Sequence, residues 1–225
     1  MKIVINLRLW GPLALAICIL ASSGCCSSAK RRPCTAGFPR ANAYRASEML
    51  PPEIRRVAVL PLVGDASEST LEAGLETLEP VLHSELSKCD LFELTFISPE
   101  KMRQWTGQSR WAAEERLPQD FFQRLQQEVG CNAVLFSRLT RFQAYAPLQT
   151  GWNLKLVESA NPRIWWSADE VFDAGQPAVA EEARQYAADN LRDGRPLSDS
   201  ASILMSPARF GQYSISIVLG TLPKR

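Results

Sequence analysis

Histidine is the scarcest functional residue in this chain, because His83 is the only one. Any Ser-His-Asp or Cys-His catalytic arrangement would therefore have to use that side chain. His83 flanks a stripe of helical leucines, a position that favours a packed, half-exposed histidine over a catalytic base. The sequence also lacks the G-x-S-x-G, P-loop and H-E-x-x-H motifs. We therefore predict no catalytic residue, no metal site and no cofactor, which means that the protein is not an enzyme.

Net charge is also nearly absent, since 25 Lys and Arg residues face 24 Asp and Glu residues. A chain without a net field does not attract nucleic acid, so we predict no nucleic-acid partner.

Two acidic pairs, Glu114-Glu115 and Glu181-Glu182, could suggest a glycosidase. Adjacent residues on a helix point about 100° apart and do not face one another, so both pairs are predicted to be solvated surface.

No apolar run at the N-terminus is long enough to cross a bilayer, which takes about 20 residues. The run from Leu9 to Ala21 follows Lys2 and Arg8 and ends in Ser22-Ser-Gly-Cys25. A cationic start, a short apolar stretch and small residues are typical of a secretory signal peptide. An uncleaved short anchor and an ordinary cleaved signal are the alternatives.

The ending at Cys25 resembles the lipobox of bacterial lipoproteins, although Ser22 stands where that motif usually has leucine. The resemblance implies that the Cys25 thiol receives a diacylglycerol and becomes the new N-terminus. Two or three acyl chains hold a protein firmly on a membrane. Because Cys26 and not aspartate follows, the resemblance also implies the inner leaflet of the outer membrane, facing the periplasm.

Three segments follow one another: a signal peptide over 1–24, the lipidated cysteine with a flexible linker over 25–52, and a globular α/β domain over 53–225. The domain begins with a continuous apolar run, Arg55–Val63, typical of a strand that is covered on both faces. Leucines from Leu71 to Leu86 form one helical stripe, which Pro80 should kink or divide. The later predicted elements are a strand over Leu91–Ile97, a helical turn over Pro99–Trp105, a helix over Pro118–Val129, a bent or bulged strand over Ala133–Tyr145, a hairpin of Trp152–Glu158 and Arg163–Phe172, and a helix over Val179–Asn190.

The last segment, Pro207–Leu219, carries both a strand-like alternation and a helical stripe. We predict a helix, because Ser206 and Pro207 are suited to the N-cap and first helical positions.

This order resembles a group of bacterial envelope lipoproteins that includes CsgG, LpoB and the GNA1162-like families. Three stretches carry the likeness: Arg56–Leu62, Gly130–Arg141 and Arg163–Glu170. The resemblance implies an anticodon-binding-domain-like three-layer α/β sandwich with a mixed sheet, in which parallel core strands adjoin an antiparallel hairpin. It also implies action through protein contacts, but no motif in the chain allows a functional residue to be transferred.

In such a fold the first strand is expected between the second and the third. Cys89 and Cys131, each just before a flanking strand, would then start about 10 Å apart, because neighbouring strands are about 4.8 Å apart. A disulfide requires Cα atoms within about 7 Å, so a Cys89–Cys131 bond is disfavoured but stays open.

Trp111 stands in a polar stretch with no apolar stripe to join, so it is the candidate for a partner contact; packing onto its own domain is the alternative.

The leading hypothesis is a membrane-anchored, non-enzymatic scaffold or regulator of a cell-envelope assembly or secretion machine, with other envelope proteins as partners. The second is a homo-oligomeric export pore, which Arg138 and Arg141 disfavour because they leave neither strand face clean enough for lipid. A periplasmic hydrolase using His83 ranks last.

Overall fold

A seven-stranded mixed sheet organises the domain in a computed structural model that describes residues 42–64, 69–191 and 200–225. Its strands are β1 (Ala43–Arg45), β2 (Arg56–Val59), β3 (Val63–Gly64), β4 (Glu93–Phe96), β5 (Ala133–Gln143), β6 (Gln149–Glu158) and β7 (Ile164–Asp173). Their spatial order is β1-β7-β6-β5-β2-β4, and β3 pairs with β5 beyond the end of β2. The strand β2 runs parallel to both β4 and β5, whereas β5, β6, β7 and β1 are antiparallel. The predicted order, with the first core strand between the next two, is confirmed.

Helices pack on both faces of this sheet. They are α1 (Ser69–Cys89), α2 (Pro99–Thr106), α3 (Phe121–Val129), α4 (Pro177–Asn190) and α5 (Pro207–Leu219), together with a 3₁₀ helix, Ser200–Met205. Helices on both faces of a partly parallel sheet make three layers. The predicted fold class, an α/β protein with a mixed sheet, is confirmed.

Two separate apolar cores follow from the alternation of side chains along the strands. The first core lies under α1, α4 and α5, and its largest fully buried members include Trp152, Trp166 and Tyr213. The second core lies under α2 and α3 and contains Phe121 and Phe136. Neighbouring residues of one strand therefore belong to different cores, as the continuous apolar run around β2 predicted.

The helix predicted for the last segment is confirmed as α5. The Ser206 hydroxyl accepts a hydrogen bond from the Arg209 amide, and Pro207 opens the first turn. Almost the whole circumference of α5 is buried, including Ser214 and Ser216. Because apolar residues are favoured on nearly every side of this helix, some of them also fall at every second position. This explains why the sequence showed a strand-like alternation there.

Of the two outcomes expected at Pro80, the structure excludes division of the helix, because α1 runs continuously across it. The fully buried Leu78 and Leu82 on either side hold this helix against the first core. The predicted linker is partly structured, because β1 pairs with β7 within it. The bulge predicted in β5 is confirmed between Leu139 and Arg141, where the register with β6 shifts.

Thr150 has an unsatisfied buried hydroxyl that a single substitution should remove. Its hydroxyl is fully buried and has no hydrogen-bond partner among the described residues. An unsatisfied buried hydroxyl costs about 1–3 kcal/mol. We expect Thr150→Val to raise the free energy of unfolding by about 1 kcal/mol, measured by urea titration.

The matched control is Thr221→Val. The Thr221 hydroxyl accepts from Trp166 Nε1 at 3.0 Å and donates to the Val218 carbonyl at 2.7 Å. Removing it should destabilise the fold by about 1 kcal/mol or more. Equal effects of the two substitutions would contradict the assignment of Thr150 as unsatisfied.

Candidate partner-binding surface

The second face of the sheet is only half covered. Helices α2 and α3 and the segment between them cover β2 and the beginning of β5, where Ala58, Val134 and Phe136 are buried. Val157 on β6 is buried with them, whereas most residues on the same face farther along β5, β6 and β7 are half-buried or exposed. We call this half the open sheet surface; its members are Arg138, Asn153, Lys155, Ser167, Asp169 and Val171.

Residues that face one another on neighbouring strands form a row across this surface. Arg138 lies opposite Asn153, and Asn153 lies opposite Asp169 on the next strand. The Asn153 side-chain amide donates to Asp169 Oδ2 at 2.9 Å. Cross-strand pairs of this kind stabilise a sheet and limit the rotamers of their members. The surface therefore presents its polar groups in fixed positions.

Glu114 links the covered half of the face to the open half. Its carboxylate accepts from Lys155 and lies 3.9 Å from Arg138. Burial raises the pKa of Glu114, but the hydrogen bonds from Lys155 and from the backbone, together with the charges of Lys155 and Arg138, outweigh it and lower the pKa overall. The carboxylate therefore stays ionised and holds both cations beside it.

The bulge in β5 brings a second set of polar side chains, Arg141 and its partner Gln149, onto this face. Gly151 is opposite the bulge, and a Cβ atom there would lie 2.4 Å from Thr140 Oγ1 and 3.0 Å from Arg141 Cβ. Only glycine allows this approach. Arg141 Nε then donates to Gln149 Oε1 at 2.6 Å, and the Gln149 amide donates to Asp173 at 3.0 Å.

A shallow depression of about 420 Å³ lies at the β1 side of the open sheet surface. Tyr44, Lys155 and Asp169 line it, and Tyr44 is 55% exposed. Its wall thus combines an aromatic ring with charges of both signs. Aromatic residues such as Tyr44 are enriched at protein interfaces, and polar groups form their rim.

Trp111 does not belong to this surface, and its burial favours the alternative interpretation, in which it packs onto its own domain. Its side chain is 8% exposed and packs edge-on against Phe121 at 5.9 Å, inside the second core. Its indole Nε1 donates to the Thr106 hydroxyl at 2.7 Å. The apolar surface that it covers comes from α2 and α3, which the polar stretch around Trp111 could not reveal.

The two cysteines considered for a disulfide have different surroundings. The Cys89 thiol donates to the Glu85 carbonyl at 3.4 Å, whereas Cys131 Sγ lies 3.7 Å from Ser159 Oγ in the second core. The two sulfur atoms are not joined. Burial raises the pKa of the Cys131 thiol, which disfavours the reactive thiolate. Cys25, the predicted lipidation site, lies outside the described residues.

His83 is half-buried and packs against Phe96, with ring centroids 4.2 Å apart and the ring planes tilted by 37°. Burial lowers its pKa, and the charge of Glu79 opposes that shift in part.

Within residues 42–64, 69–191 and 200–225, no three His, Cys, Asp or Glu side chains form a group that could hold a metal ion. In the same ranges, no helix has the length and apolar character needed to span a membrane.

Comparison with known proteins gives structural neighbours only. No family model and no curated protein matches the sequence. The PelC dodecamer structure from Paraburkholderia phytofirmans is 14% identical and covers 82% of this chain and 96% of its own, with a TM-score of 0.45. Lipoprotein GNA1162 from Neisseria meningitidis is 14% identical, covering 64% of this chain and 99% of its own, with a TM-score of 0.40.

The C-terminal domain of LpoB from Salmonella enterica is 18% identical, with a TM-score of 0.34. It covers 52% of this chain and 82% of its own. GNA1162 and LpoB are two of the names in the resemblance stated from the sequence, and both are among the similar structures. These likenesses assign no function and transfer no residue.

Proposed function

We propose that this protein is a lipid-anchored envelope protein that acts without catalysis, as a scaffold or regulator of an envelope assembly or secretion machine. In this proposal Cys25 carries the anchor and the domain faces the periplasm. The open sheet surface makes the contact with another envelope protein. The linker of at most a few tens of ångströms keeps that contact near the membrane.

The observation that carries the proposal is the half-covered sheet face. Its polar side chains are held by hydrogen bonds to one another, as between Asn153 and Asp169, and they surround an apolar residue, Val171, that is 49% exposed. Fixed polar groups around an exposed apolar residue resemble the composition of a non-obligate interface. Preorganised side chains also lose less entropy when a partner binds.

A photo-cross-linking residue at Val171 tests this proposal in cells. We expect p-benzoylphenylalanine at this position to form adducts with a small number of other envelope proteins, identified by mass spectrometry. The matched control is the same residue at Gln185, which is exposed on α4 on the opposite side of the sheet. The control should give no adduct with those proteins.

Two results would count against the contact. Adducts of equal yield at Val171 and Gln185 would show that other proteins meet this domain by random collision and do not bind at the open sheet surface. Adducts at Val171 only with other copies of this chain would instead favour the oligomeric pore that the sequence left as the second hypothesis.

A further inference from the structure

The strand β4 forms an outer edge of the sheet, opposite the edge formed by β1. The amides of Glu93 and Ile97 donate to carbonyls on the β2 side at 2.9 Å each. Peptide groups alternate in direction along a strand, so those of Leu94 and Phe96 point away from β2. Of the four residues in β4, three are exposed, and Phe96 has 36% of its surface accessible.

Such an edge is a template for another strand, and natural edges are usually blocked by proline, lysine or a bulge. Glu93–Phe96 contains no proline, no lysine and no bulge, although it is a short edge strand of four residues and carries one charge, Glu93. Among the described residues no further strand pairs with β4, so this edge is open to strand pairing.

We infer that the occupant is β4 of a second copy of this chain, paired antiparallel about a two-fold axis through Thr95. The axis brings each Thr95 opposite the partner subunit's Thr95. It also brings Leu94 opposite the partner subunit's Phe96, and Phe96 opposite the partner subunit's Leu94. Threonine pairs and aromatic–aliphatic pairs are among the favourable cross-strand combinations. A two-fold interface requires this self-complementarity.

Charge supports the same register. Glu93 is exposed at the start of β4, and Lys101 is exposed in the first turn of α2, shortly after β4 ends. Antiparallel pairing moves each Glu93 to the end of the other strand, where the partner subunit's Lys101 and the positive end of its α2 are found. An anion is stabilised beside a helix N-terminus and beside a lysine. Glu100 is also exposed in the first turn of α2 and would approach the partner subunit's Glu93, which offsets part of this attraction.

The β4 edge is separate from the open sheet surface, which lies beyond β5 on one face. A chain dimerised through β4 leaves Val171 accessible. The test below can therefore fail while the proposed function stands, and the reverse is also true.

Disulfide trapping of the full-length protein in its membrane tests the pairing. Facing residues of a non-hydrogen-bonded antiparallel pair have Cα atoms about 4.5 Å apart, within the range that a disulfide accepts. We expect Thr95→Cys to give, under mild oxidation, a reducible species of twice the monomer mass that is absent from the parent chain. The matched control, Thr140→Cys, alters an equally exposed strand threonine and should stay monomeric.

A second variant separates pairing from chance collision. Adding Phe96→Asp to Thr95→Cys puts a carboxylate at the edge and should abolish the dimer band, with the monomer still folded by circular dichroism. The inference is overturned if folded Thr95→Cys protein yields no dimer. It is equally overturned if Thr140→Cys dimerises as well, or if the mixed disulfide contains a different protein.

Discussion

Replacing Cys25 by alanine should remove all acyl label from the protein and release it from the outer-membrane fraction. The thiol is the acceptor that the lipobox resemblance implies, and an alanine cannot form the thioether. Each buried methylene of an acyl chain contributes about 0.8 kcal/mol to membrane binding, so losing two or three chains removes the whole anchor. Metabolic labelling with an alkyne fatty acid, followed by membrane fractionation, measures both effects.

The adjacent cysteine provides the control. Cys26→Ala changes the same residue type one position later and should keep both the label and the membrane location. If Cys25→Ala retains its label, or if both variants lose it, the lipidation site is not Cys25. If neither variant nor the parent chain enters the membrane, the anchor itself is absent, and the proposed function loses its location.

Replacing Gly74 by leucine should destabilise the domain more than any other single change considered for its core. Gly74 is buried on α1 where that helix touches β5, and a Cβ atom there would lie 2.7 Å from both Leu139 Cδ2 and Phe142 Cγ. A leucine must displace these side chains or the helix. Overpacking of a core costs about 1–3 kcal/mol and more where the backbone cannot shift. We expect a loss at the upper end of that range or beyond, measured by denaturant unfolding.

Ala73 gives a matched control on the same turn of α1. It is exposed, so Ala73→Leu adds a similar volume to the surface and keeps a strong helix former. The free energy of unfolding should change by less than about 0.5 kcal/mol, as is usual for surface substitutions. Similar losses at both positions would mean that α1 does not approach β5 as closely as the structure indicates.

The strands and helices could be predicted because their signals are local. The continuous apolar run around β2, the leucine stripe of α1 and the glycine after α3 each depend on neighbours within a few residues. Gly130 adopts a φ of 63°, which glycine tolerates without strain, so its position marked the helix end. Pro80 does not divide α1, because the core on both sides of it compensates for one missing hydrogen bond.

The surroundings of Trp111 could not be predicted, because they are not local. The polar stretch Gln108–Arg116 around it contains no apolar stripe, so the sequence presented it as isolated. Its neighbours in space, Phe121 and Phe136, come from α3 and β5, and they meet only when both elements cover the same sheet face. A polar stretch can therefore contain a core residue whenever it crosses a core formed elsewhere.

By itself the sequence determined the class of the fold, the order of its elements and the expectation of a lipid anchor. These depend on composition and short periodicities, which one chain segment carries alone. Only the tertiary structure decided which half of a sheet face stays uncovered and which strand lies at the edge. Arg138, Asn153 and Asp169 are far apart in sequence and become one row through strand register. A surface is the part of the fold that other elements leave exposed, so its members become known only when the whole sheet is assembled.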